Sequence, residues 1–153
     1  MVNFYLVRHG DALSASENPE RPLSPTGREA VARVAGLARE RQAQVSVIYH
    51  SGILRAQQTA EILAQYLEPT EGVTAISGLL PDDDPAMGQA QLEAATEPVM
   101  LVGHLPYMRR LAALLVNGDP ERPVVDFAPA DLICCSKKHL RWRINWHLAP
   151  PSP

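Results

Sequence analysis

The sequence predicts an α/β protein, a single three-layer α/β/α domain with a mostly parallel central sheet and an antiparallel edge strand. Three observations lead there. Near-continuous apolar runs at Val2–Val7, Val45–Tyr49 and Val99–Val102 suit strands covered on both faces. Segments of helical periodicity alternate with those runs, which is the order of parallel crossover units. The last part of the chain instead alternates apolar and polar residues, the signature of paired strands with one wetter face.

After the first strand, Asp11 to Pro22 is polar and carries proline, so it reads as a surface loop. Ser24-Pro25 supplies a helix cap followed by the residue best suited to a first helical turn, and Thr26 with Glu29 offers a second possible capping box. Val31, Val34, Ala35 and Ala38 recur at helical spacing, giving an amphipathic helix over roughly residues 25–42. The second strand leads to Ser51, a plausible cap for a helix that buries Ala56, Ala60, Leu63 and Leu67, with Arg55 in its first turn. A short strand near Val73–Ile76 and a short helix from Gly88 to Ala95 follow, separated by the acidic run Asp82-Asp83-Asp84. The strand at Val99–Val102 precedes a helix opened by Pro106, carrying Met108, Leu111, Ala112 and Leu115, and stopped by Asn117-Gly118. Leu132–Ser136 and Leu140–His147 read as a strand pair, with Trp142, Ile144 and Trp146 expected on one face for packing. The domain is expected to span residues 1–148, leaving 149–153 as a proline-rich, frayed tail.

At 153 residues the chain suits one domain with a core large enough to need neither disulfides nor a structural metal. A net charge of −3 argues against broad electrostatic binding to nucleic acid or to an anionic membrane, so an anionic substrate must be held by local cations. Arginine far outnumbers lysine, which occurs only as Lys137 and Lys138, and arginine is the better bidentate phosphate clamp. Cys134 and Cys135 are adjacent, without the spacing of a zinc or redox pair, and read as buried thiols in a reducing compartment. With no signal-peptide pattern and no membrane-length apolar run, the expected location is cytoplasmic.

Three strand ends carry the chemistry. Arg8-His9-Gly10 follows the first apolar run, His50-Ser51 and then Arg55 follow the second, and Gly103-His104 follows the third. Ligands of open α/β sheets bind beyond the carboxyl ends of the strands, so these residues read as one site built from three loops. A neutral imidazole is a competent nucleophile, and His9 is expected to attack phosphorus and to hold the phosphoryl group covalently until water releases it. Arg8 and Arg55 are expected to bind the equatorial oxygens and His104 to donate a further hydrogen bond, while nearby cations keep His9 unprotonated. Gly10 is expected to let the chain turn sharply and, through its carbonyl, to fix the His9 tautomer. Helix N-termini after Ser51 and His104 would add backbone donors. No metal or other cofactor is required, and the sequence holds no convincing metal motif.

Leu6-Val7-Arg8-His9-Gly10-Asp11-Ala12 resembles the signature of the histidine phosphatase (phosphoglycerate mutase-like) superfamily. Arg21-Pro22-Leu23-Ser24 with Gly27 is similar to its loop and first helix, Ser51 through Ala60 to its second arginine block, and Val102-Gly103-His104-Leu105-Pro106 to its second histidine block. The resemblance covers most of the chain, and the compact length, the Leu80-Pro81 loop with its acids and the closing Asn145-Trp146 strand look most like the protein phosphohistidine phosphatases of bacterial phosphorelays. It implies that His9 accepts the phosphoryl group and that Arg8, Arg55 and His104 complete the phosphate pocket. Two departures stand out: Gly52 occupies a place where the family commonly has proline, which is expected to loosen the turn, and many members have a clearly placed acidic residue as general acid where this sequence offers candidates by position only. Asp82, Asp83 and Asp84 are candidates by position, with Asp84 first, although a solvated turn is the commoner role for such a run.

His50, His139 and His147 are expected to be structural or superficial, and Arg21 either approaches the phosphate or forms a salt bridge in its loop. The leading function is a metal-independent phosphohistidine phosphatase acting on a histidine-phosphorylated protein such as a phosphotransfer domain. The alternatives are a small-molecule phosphomonoesterase of the same superfamily and a phosphate-dependent binding module without turnover. The sequence leaves the oligomeric state open.

Overall fold

In the computed structural model, which describes residues 1–152, the first apolar run forms β1 (Asn3–Arg8), buried from Phe4 to Val7 as a strand covered on both faces must be. It is followed by α1 (Pro25–Glu40), β2 (Val47–His50), α2 (Leu54–Leu67), β3 (Val73–Ala75), α3 (Pro85–Ala94), β4 (Val99–Gly103), α4 (Tyr107–Asn117), β5 (Leu132–Lys138) and β6 (Arg141–Leu148). The six strands form one sheet in the order β3-β2-β4-β1-β5-β6. Pairs β2–β3, β2–β4 and β1–β4 are parallel, whereas β1–β5 and β5–β6 are antiparallel. The antiparallel edge is therefore a hairpin. Because β4 lies between β2 and β1, the carboxyl ends of these three strands are neighbours, and the loops that leave them share one rim.

Alternation along the strands divides the core into two layers. Tyr5, Val7, Ile48, Met100 and Val102 pack under α1 and α2 with Val31, Val34, Ala35, Ala56, Ala60 and Leu63. Phe4, Leu6, Val47 and Leu101 face the other way, against Leu92 of α3 and Met108 and Leu111 of α4. The expected caps of α1 and α4 are present: the Ser24 side chain accepts the Gly27 N–H with Pro25 in the first turn, and Gly118 ends α4 in the left-handed region. Thr26, expected as a second capping residue, lies inside the helix that Ser24 has already started. Helix α3 starts at Pro85 rather than Gly88, because Asp84-Pro85 forms a cap of the same kind as Ser24-Pro25.

The tryptophans depart from simple alternation. Cys134 pairs with Trp146 but Cys135 pairs with Ile144, so Asn145 is an extra residue, a β-bulge that reverses the facing of the strand beyond it. Trp142 packs on Phe4 at a ring separation of 5.6 Å, while Trp146 crosses to the opposite layer and packs on Tyr5 at 6.0 Å. Arg41 lies over the Trp146 ring, 4.8 Å from its centre. Both tryptophans pack, as expected, but not on one face. No regular secondary structure follows Leu148 in residues 149–152, and Pro153, the end of the tail expected to be frayed, lies outside the described residues. Among the described residues no helix is long and apolar enough to cross a membrane.

The loop after β1 is pressed against the start of α1. A Cβ built on Gly27 would stand 2.1 Å from the Asp11 carbonyl oxygen, and backbone cannot swing aside as a side chain can. Gly27→Ala is expected to lower the unfolding free energy by about 1–3 kcal/mol or more, the scale of overpacking a filled interior. Equilibrium denaturation measures it, and an unchanged midpoint and slope would contradict the close approach.

Candidate active site

His9 is the first residue past β1, with its backbone N–H held by the Gly103 carbonyl at 2.9 Å. Its Nδ1 lies 2.7 Å from the Gly10 carbonyl oxygen. A carbonyl only accepts, so in the neutral ring Nδ1 carries the proton and Nε2 keeps the lone pair. Gly10 serves a different need from the sharp turn expected of it. It is not in the left-handed region, but a Cβ there would meet Val31 Cγ2 at 2.7 Å and the Gly27 carbonyl at 3.2 Å, so its smallness admits α1. Its N–H donates to Thr59 Oγ1 at 3.1 Å, and that hydroxyl donates to the Arg55 carbonyl at 2.8 Å. One buried threonine thus ties the His9 corner to the first turn of α2.

His104 follows β4 and is buried, with its ring centroid 5.0 Å from that of His9 and the two planes tilted by 54°. Its Nε2 is 2.6 Å from Ser51 Oγ, which also accepts the Ile53 N–H at 3.2 Å. Ser51 is therefore not the cap expected for α2. Ile53 occupies the cap position without a side-chain bond, and the serine hydroxyl is used across the site instead. Arg55 sits in the first turn of α2, as expected, and Arg8 donates from Nη1 to the Phe127 carbonyl at 2.8 Å. The Nε atoms of Arg8 and Arg55 are buried and have no hydrogen-bond partner among the described residues.

Burial dominates the electrostatics. It lowers the His9 pKa to about 4, with the charges of Arg55, Arg8 and Arg21 pushing the same way and the Gly10 carbonyl opposing. His104 falls to about 3, first through burial and then through His9, Arg55 and Arg21. Burial also lowers Arg8 and Arg55 from their ordinary range. Both imidazoles are accordingly neutral at pH 7. Arg21, for which a loop salt bridge and a place near the phosphate were equally plausible, acts electrostatically on His9, His104 and Arg55. It adopts a left-handed φ of 49°, its Nε donates to the Leu13 carbonyl, and it makes no ion pair among the described residues.

The fold therefore brings His9, Arg8, Arg55 and His104 together. Asp84 is engaged elsewhere: its carboxylate accepts the Ala86 N–H as the cap of α3, and among the described residues no carboxylate is hydrogen-bonded to His9 or His104. Asp83 accepts the Leu80 N–H within the same turn. The acidic run is a turn and a helix start. Among the described residues no group of three or more His, Cys, Asp or Glu is placed to hold a metal ion.

Gly52 also corrects an expectation. Its φ is +89°, which proline cannot adopt, and its N–H donates to His50 Nδ1 at 3.0 Å, which proline has no hydrogen to do. The turn before Arg55 is not loosened but held another way, with the buried His50 in a structural role. Ser51 and Thr59 were missed as parts of the site. Serine directly after a strand and threonine one turn beyond Arg55 were the available signals. The Phe127 carbonyl had none, since every residue carries one.

Residues 4–78 match the sequence pattern of the histidine phosphatase superfamily (branch 1). The phosphohistidine phosphatase SixA of Escherichia coli strain K12 is 27% identical over 97% of this chain and 94% of its own. The structure of the protein histidine phosphatase SixA complexed with tungstate superposes with a TM-score of 0.85 at 25% identity, covering 97% of each chain. A mycobacterial glucosyl-3-phosphoglycerate phosphatase shares the fold at a TM-score of 0.75 and 19% identity, over 95% of this chain and 97% of its own.

Two outcomes follow from the site. Gly52→Pro should destabilise the protein by about 3 kcal/mol or more, because it both forbids the observed φ and removes a bonded N–H; denaturation curves superposing on wild type would contradict this. The unfolded chain protonates histidine near 6.5 and the folded protein only near 4 at His9 and 3 at His104, so between these values the unfolded state binds more protons. Stability should thus be complete above pH 6.5 and fall as the pH drops through that window. His9→Asn or His104→Asn should flatten the fall, as read by unfolding free energy against pH, and an identical slope would show that the rings are not shifted.

Proposed function

The chain belongs to the histidine phosphatase superfamily and is a phosphatase, and on that premise we propose that it removes phosphate from phosphohistidine in a protein partner through a covalent intermediate on His9. The observation that carries this reading is the neutral His9, oriented by Gly10 and bordered by Arg8, Arg55 and His104. Nε2 attacks phosphorus, the bond to the substrate imidazole breaks, and that imidazole takes its proton from solvent. Water then attacks the phosphoryl group on His9, phosphate leaves, and Nε2 regains its lone pair. Arg8 and Arg55 hold the equatorial oxygens in both steps, with His104 as the further donor and Arg21 adding positive potential.

The engagement of the Asp84 carboxylate with the Ala86 N–H, as the cap of α3, supports the substrate class. A phosphorus–nitrogen bond needs less protonation of its leaving group than an alkyl ester does, so the cluster suits phosphohistidine without Asp84 as acid. The interval from Arg55 to His104 is occupied by α2, β3, α3 and β4, with no long insertion to close over the site, which favours a substrate presented on a protein surface. A phosphotransfer domain is such a partner, and the cytoplasm, where the free, buried Cys134 and Cys135 remain reduced, is the compartment we infer.

Turnover of a phosphorylated phosphotransfer domain should exceed that of a panel of metabolite phosphates in kcat/KM. Preference for the metabolites by orders of magnitude would replace this reading with a small-molecule phosphomonoesterase. Acid quench during turnover should trap phosphate on wild type and not on His9→Ala, whereas tight phosphate binding with no labelling by any substrate would indicate a binding module. Arg55→Ala and His104→Ala should each lose roughly a hundred- to a thousandfold in rate. Full activity is expected in excess chelator, and loss restored by a divalent ion would contradict a metal-independent route.

A further inference from the structure

We propose that Asp131 is a positioning residue for Arg8, acting through the peptide unit that joins Phe127 to Ala128. Asp131 is only 4% exposed, and its Oδ2 accepts the Ala128 N–H at 2.9 Å. The carbonyl of that same peptide unit belongs to Phe127 and accepts Arg8 Nη1 at 2.8 Å. In a planar trans peptide the C=O and N–H point in opposite directions, so the carboxylate and the guanidinium sit at the two ends of one dipole. Each polarises the group in the sense that strengthens the other's hydrogen bond, and both bonds are charge-assisted.

The rest of the loop is fastened to the same strand end. Arg8 N–H donates to the Asp131 carbonyl at 3.1 Å, the Ala130 N–H returns to the Arg8 carbonyl at 3.1 Å, and Asp131 N–H closes the turn on the Ala128 carbonyl at 3.1 Å. On its outer side Oδ2 receives the Nε2–H of His147 at 2.9 Å, so β6 holds the carboxylate in place. The Asp131 charge also partly offsets the effect of burial on the Arg8 guanidinium. The nearest simpler role is a turn-forming aspartate that stabilises the loop and nothing else.

The inference rests on the assignment of Arg8 to phosphate binding, not on the identity of the phosphorylated substrate. Its test measures affinity for inorganic phosphate, kcat/KM on a chromogenic phosphate ester and thermal midpoint for Asp131→Ala, Asp131→Asn, Arg8→Ala and the double variant Arg8→Ala/Asp131→Ala. Asp131→Ala should weaken phosphate binding by about ten- to a hundredfold, the worth of one charge-assisted hydrogen bond. Asp131→Asn keeps an acceptor for Ala128 and should recover most of that affinity. In the double variant the second substitution should add no further loss, because the two residues act in series. Unchanged phosphate affinity in Asp131→Ala with only a lowered thermal midpoint would overturn the proposal in favour of the plain turn. Additive losses in the double variant would overturn it too. Should Asp131→Ala not fold, the Arg8 side-chain 15N shifts of folded Asp131→Asn decide: displacement supports the relay, and wild-type shifts overturn it. Phosphate affinity untouched by Arg8→Ala would overturn both this inference and the phosphate-site assignment, whereas loss in Arg8→Ala alone would overturn only this one.

Discussion

Positive charge and neutral imidazole are partly buried together at the ends of three parallel strands, and among the described residues no carboxylate forms an ion pair with Arg8 or Arg55. That constraint orders the rest. Arg8 and Arg55 have buried Nε atoms with no partner among the described residues, and burial lowers the pKa of both. Desolvating cations is expensive unless an opposite charge arrives, and a tetrahedral oxyanion is such a charge. The same environment keeps His9 and His104 unprotonated, so the His9 lone pair on which the proposed attack depends is free well below neutral pH.

A site under that electrostatic load must be held by its surroundings. Backbone and hydroxyl groups do this, being neutral and unable to quench the cations: the Gly10 carbonyl on His9, Thr59 between Gly10 and Arg55, Ser51 on His104, and the Phe127 carbonyl on Arg8. Asp131 is the nearby carboxylate, and it reaches Arg8 through a peptide group rather than by direct ion pairing. A direct pair would satisfy the arginine and compete with phosphate. Spacing the charge by one peptide orients the guanidinium while leaving its attraction for an anion.

The fold alone does not choose the substrate, since a glucosyl-3-phosphoglycerate phosphatase shares it at 19% identity. The choice depends on what the rim lacks. Asp84 spends its carboxylate on the N-terminus of α3, and the interval from Arg55 to His104 carries no long insertion. Both features suit a labile phosphorus–nitrogen bond carried on another protein better than a stable ester that must be protonated and enclosed.

By itself the sequence determined the alternation of strands and helices, the caps at Ser24-Pro25 and Asn117-Gly118, and the placing of His9, Arg55 and His104 at or just after three strand ends. These are set by periodicity and by groups a few residues apart, and parallel strands then bring their ends together. Only the tertiary structure decided that Ser51 serves His104 and not α2, that Gly52 leans on His50, that the extra Asn145 turns Trp146 to the other layer, and that Asp131 stands behind Arg8. Each of those depends on which partner lies within hydrogen-bond reach once separate elements have packed, or on a one-residue offset between two strands. Distance in space fixes such choices, and no pattern along the chain records it.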